Sequence, residues 1–140
     1  MHAPPGPPAR GRLADRHVGA VGLLRPRGVG LREVLERAGA RVVEIGDAHP
    51  AVTALDALLV DVGERCDLVL VARWRARHAD LPILALGPFG EPELRLAGHD
   101  AGADACLPAD ASAAVVRSWL DAVTGRNRLT RASAAAVAPA

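Results

Sequence analysis

Five short apolar runs, each closed by glycine, proline or a charged residue, most constrain what this chain can fold into. They are HVGAVGLL at 17–24, RVVEI at 41–45, DALLVDV at 56–62, LPILAL at 81–86 and ACL at 105–107. Between them, apolar residues recur at helical spacing. Leu31, Val34, Leu35 and Ala38 mark a first helix, with Gly39 as its stop, and Pro50 can start a short one over Ala51–Leu55. DLVLVARWRARH at 67–78 suits a helix whose Arg-bearing tail reaches solvent. A fourth helix follows Gly87, Pro88 and Gly90 over 91–101, and a fifth covers 112–124 with Ser112 as N-cap. Strands that alternate with helices are joined by crossovers, so they lie parallel, and a parallel sheet must be covered on both faces.

Five strands and five helices in this order predict a three-layer α/β/α domain of the flavodoxin-like, doubly wound kind. Its working edge lies at the carboxyl ends of the strands. A length of 140 residues, 50% of them apolar and 24% charged, suits one such domain with a sizeable core. With two Trp, one Phe and no Tyr, that core must be built from Ala, Val and Leu. The domain is expected over 17–124. A Pro/Gly/Arg-rich tail at 1–16 and an Ala-rich tail at 125–140 are expected to be disordered. No run reaches the length of a membrane span and the start has no apolar signal region, which predicts a cytoplasmic protein without a membrane partner. Cys66 and Cys106 fall in apolar segments and read as reduced thiols. The formal net charge of +1 argues against a polyanion partner, and the Arg of the C-terminal tail lack the aromatics and reading helix of a nucleic-acid binder. All 17 basic residues are Arg, so lysine chemistry is excluded.

The stretch LPILALGPFGEPELRLAGHDAGADACLPADAS at 81–112, and AGHDAGADACLP within it, resembles the second half of a bacterial response-regulator receiver domain. The resemblance extends loosely back to residue 18. It implies aspartyl phosphorylation at the end of the third strand, assisted by Mg²⁺ on carboxylates after the first strand. A hydroxyl residue ends the fourth strand, an aromatic sits on the fifth and a Lys follows it. Mg²⁺ and Lys are needed because a carboxylate attacks a charged phosphoryl group poorly.

Carried across residue by residue, the resemblance places the acidic pair on Arg25 and Pro26, the hydroxyl on Gly87, the aromatic on Cys106 and the lysine on Ala109. The acceptor falls on Asp61, or on Ala72 if DLVLVA at 67–72 is the third strand instead. This implies a degenerate pseudo-receiver with no metal and no cofactor. In such a site Arg25 or Arg27 could take the place of the metal and form a bidentate pair with Asp61. The Asp-x-His of GDAHP at 46–50 reads as a turn, and no nucleophilic triad or metal cluster has a recognisable spacing.

The function expected is a stand-alone, non-enzymatic interaction module in signalling or transcriptional control. The alternatives are a residual phosphotransfer receiver using Asp61 and a small-molecule sensor at the strand-end crevice. A protein partner or a second copy would dock on the face made by the 91–101 helix, the fifth strand and the last helix. Leu94, Leu96, Val116 and Trp119 lie in those elements.

Overall fold

The computed structural model describes residues 13–22, 26–45, 55–63 and 65–124, and for 26–29 the backbone alone. Five strands, β1 (His17–Val21), β2 (Arg41–Glu44), β3 (Ala57–Asp61), β4 (Ile83–Gly87) and β5 (Ala105–Pro108), form one sheet. Its order is β2-β1-β3-β4-β5 and every neighbouring pair is parallel. Helices α1 (Pro26–Arg37), α2 (Leu68–Arg77), α3 (Pro92–Ala101) and α4 (113–124) cover it. The short helix expected at 51–55 and the GDAHP turn lie outside the described residues, apart from Leu55. None of the described helices is long and apolar enough to cross a membrane.

The strands show why the sheet is covered twice. Along β3, Ala57 and Leu59 join α1 and α4 in one apolar layer, whereas Leu58 and Val60 join α2 and α3 in the other. Leu84 and Leu86 against Ile83 and Ala85 repeat this division on β4. Successive side chains of a strand point to opposite faces, so an unbroken apolar run is what a two-sided strand requires. The edge strand β2 is only half buried and ends in charge, with Arg41 and Glu44 exposed.

Several boundaries differ from the sequence reading, and β4, expected over 81–86, runs over Ile83–Gly87. The first strand ends at Val21 instead of Leu24. The first helix begins at Pro26, a full turn before Leu31. Proline suits the first turn of a helix, and the glycines at 28 and 30 lower its stability without breaking it. Leu13, placed in the expected tail, is 1% exposed and packs with Leu31, Leu35 and Leu120. The N–H of Asp15 donates to the carbonyl of Gly39 at 2.9 Å, so the ordered unit includes 13–16.

Candidate functional site

The two residues that the resemblance offered as acceptor lie in different elements. DLVLVA is helical, with Ala72 exposed on α2, while Asp61 ends β3. Asp61 Oδ1 accepts the N–H of Gly63 at 2.9 Å, a local turn that bends the chain out of the sheet. Across from it, Gly22 follows β1 at a φ of 80°, and a Cβ there would stand 3.2 Å from the Asp61 carbonyl oxygen. Glycine lets β1 come this close beside Asp61. Arg25 and the side chains of Pro26 and Arg27 lie outside the described residues, and with them the expected ion pair to Asp61.

Gly87 ends β4, next to β3. A Cβ on it would run into Val62 Cγ2, closer than carbon atoms approach, and would stand 3.3 Å from the ring of Phe89. Val62 and Phe89 are 4% and 0% exposed, so neither can swing into solvent without opening the core. The Gly87 carbonyl accepts the N–H of Phe89 at 2.7 Å and that of Ala109 at 2.9 Å. It thereby joins the turn before α3 to the turn after β5, and Ala109 stands at the same sheet edge as Asp61 and Gly87.

Cys106 on β5 is buried against α3, and burial, followed by the neighbouring Cys66, pushes its thiol up to about 11. Cys66 is half buried; burial and the adjacent Asp67 carboxylate push its thiol up too. These are protonated, poorly nucleophilic sulfurs at neutral pH. Among the described residues no three His, Cys, Asp or Glu side chains gather as metal ligands would.

Of the expected docking residues, Leu96 on α3 is 65% exposed and Trp119 on α4 43%. Val115, one turn before Trp119, is also exposed. Val116 is a correction: it is fully buried and supports α4 from beneath, because it lies on the core stripe with Leu120 and Val123. Leu94 is half buried against the α3-side core. Ser112 caps α4 as expected, its Oγ accepting the N–H of Val115 at 3.2 Å.

Phe89 and Val62 were missed as site residues. One signal was available for Phe89: the chain's lone phenylalanine stands in the Gly/Pro turn GPFGEP, where a large apolar side chain has no reason to be unless it turns inward.

No family model and no curated protein matches the chain. Solved structures do match. A response regulator from Thermotoga maritima aligns with a TM-score of 0.68 at 20% identity, over 79% of this chain and 98% of that one. Full-length FixJ from B. japonicum aligns with a TM-score of 0.68 at 19% identity, over 87% of this chain and 64% of that one. This chain thus spans a little under two thirds of FixJ. A response regulator from Burkholderia pseudomallei, with a phosphorylated aspartic acid, calcium ion and citrate, aligns with a TM-score of 0.60 at 19% identity, over 89% of this chain and 76% of that one. Sheet order, crossovers and these likenesses agree: the chain has the flavodoxin-like fold of response-regulator receiver domains.

Proposed function

We propose that this chain is an atypical receiver that works as a phosphorylation-independent, non-enzymatic interaction module in signalling or transcriptional control. The observation that carries this reading is the end of β4. The position that the sequence resemblance gives to the phosphate-reading hydroxyl is Gly87, and Val62 and Phe89 fill the space where its side chain would be. The donor set points the same way. Mg²⁺ needs several oxygen ligands at short, octahedral distances. The positions that the resemblance implies offer Arg25, Pro26 and one carboxylate, Asp61, which already accepts the Gly63 N–H. These residues do not fit the cation, and Ala109 supplies no ammonium group.

The working surface in this reading is the face of α3, β5 and α4, with Leu96, Val115 and Trp119 exposed on it. A half-exposed Trp on the last helix suits a protein partner, including a second copy of the chain. Sedimentation velocity on the full chain and on Trp119→Ala tests this. The variant should lose self-association while its Tm moves by no more than about 2 °C, as for a surface change well under 1 kcal/mol. Unchanged association together with a loss of about 3–5 kcal/mol, the cost of a core tryptophan, would contradict it.

A second reading, residual phosphotransfer at Asp61, is favoured by the placement of Asp61 at the end of β3. The Burkholderia pseudomallei relative carries a phosphorylated aspartic acid.

A further inference from the structure

Two glycines press on one aromatic ring on the α3 side of the sheet. Phe89 lies in the turn between β4 and α3 and is 0% exposed. A Cβ on Gly87 would stand 3.3 Å from ring atom Cε2, while one on Gly98 would stand 3.1 Å from Cε1 and 3.4 Å from Cζ. The same Cβ on Gly98 would be 2.5 Å from Cys106 Sγ. The ring is therefore wedged between the last residue of β4 and the middle of α3, and the helix backbone rests directly on ring and sulfur. The turn that carries the ring is held as well, through the 2.7 Å bond from the Phe89 N–H to the Gly87 carbonyl.

The rest of α3 adds Leu94 and Ala101, both partly buried against the same core. Glu91 at its N-cap makes no side-chain hydrogen bond, and Gly98 is its buried residue. At the far end, the Arg75 guanidinium donates to the Gly102 carbonyl at 2.9 Å. The helix is thus fixed at its end by Arg75 and along its length by Leu94, Ala101 and the direct contact of its backbone with Phe89 and Cys106. A close-packed interior offers discrete arrangements, not a continuum, and here a second seat for the ring would need space that Val62 and Gly98 occupy.

We propose that Phe89 is a latch that holds α3 on the sheet in a single position, so that the outer face of α3 is presented constitutively. The inference goes beyond the interaction reading, because it rests on the packing around the ring and holds whether or not a partner docks.

Residue-resolved native-state hydrogen exchange on the full chain tests it, with Gly98→Ala as the sharpest variant. Alanine is the better helix former, so helix propensity alone predicts stronger protection in α3. A latch predicts the reverse. The added methyl lifts α3 off the ring and the sulfur, and protection over 94–101 falls roughly tenfold while β1, β3 and α1 are unaffected, as for a local opening. Adding Cys106→Ala removes the sulfur in the way and should recover part of the loss. Phe89→Ala should loosen the same segment, and Phe89→Leu less so. Stronger α3 protection in Gly98→Ala, or a loss spread evenly over the sheet in Phe89→Ala, would overturn the latch.

Discussion

At the amino ends of the strands, charged groups tie elements together. Asp104, just before β5, accepts Arg75 Nη2 at 2.9 Å and the N–H of Ile83, the first residue of β4, at 2.8 Å. Arg75 also donates to the carbonyls of Gly102, His78 and Ala79. Asp56, before β3, accepts the N–H of His17 at the start of β1 at 2.8 Å. At the carboxyl ends the space between β3, β4 and α3 belongs instead to Val62, Phe89 and Cys106, with Asp61 engaged in its own turn. In a phosphorylated receiver the carboxyl end is the polar, reactive one. The contrast teaches that, among the described residues, the satisfied charges of this chain sit in the scaffold and apolar atoms fill the space between β3, β4 and α3. Apolar filling fixes one shape, whereas a buried charge there would need partners to offset its desolvation.

Breaking the amino-end clamp should have the largest effect. Asp104→Ala leaves the Ile83 N–H without its acceptor and the half-buried Arg75 without its carboxylate. Urea unfolding should register a loss of about 3 kcal/mol. A loss below about 0.5 kcal/mol would remove the basis of the comparison.

At the other end, restoring a hydroxyl residue should be costly. Gly87→Thr drives a side chain into Val62 and Phe89, and overpacking of this kind costs about 2 kcal/mol. Val62→Ala in the same chain should recover part of it. If Gly87→Thr alone is neutral in urea unfolding, the end of β4 is not filled.

Alkaline pH sharpens the contrast further. Burial, then Cys66, raises the Cys106 thiol from its ordinary 9.0 to about 11 in the folded chain. On unfolding, the thiol ionises at its lower, ordinary value. The stability it contributes is therefore complete below about pH 9 and is lost as pH rises to about 11, on the order of 2 kcal/mol at most. The chain has no Tyr and its basic residues are all Arg, so the two thiols are the side chains that titrate in this window. Urea midpoints at pH 8.5 and 11 should differ for the parent chain and differ much less for Cys106→Ala.

The smallest effect belongs to Asp61. Asp61→Ala removes a carboxylate that has the Gly63 N–H among its partners, and urea unfolding should register a loss of about 1 kcal/mol. A much larger change in the urea midpoint would mean that Asp61 is a structural anchor of the sheet.

Much of this architecture was legible in the chain, and the exceptions have physical causes. The five strands and their two-sided burial follow from uninterrupted apolar runs. Local chemistry also revealed the Ser112 cap. The bond from Arg75 to Asp104 was not legible, because it joins residues that only tertiary folding brings together. The early start of α1 was obscured by glycines read as breakers, and Leu13 by a polar, Pro-rich neighbourhood. Val116 and Trp119 were grouped on one face although their three-residue spacing spans the border between core and solvent on α4. Phe89 stood in an apparent loop, and its inward turn depends on the glycines at 87 and 98, which pattern alone does not pair.

The most direct test of the central claim is an amide NMR titration of the full chain with Mg²⁺ and then beryllofluoride, which mimics an aspartyl phosphate. The account predicts that the resonances of Asp61, Val62, Gly63 and Gly87 do not move beyond the response of a generic surface carboxylate. Saturable shifts at Asp61 that spread to Gly87 and Ala109 would contradict it and establish a working phosphoacceptor.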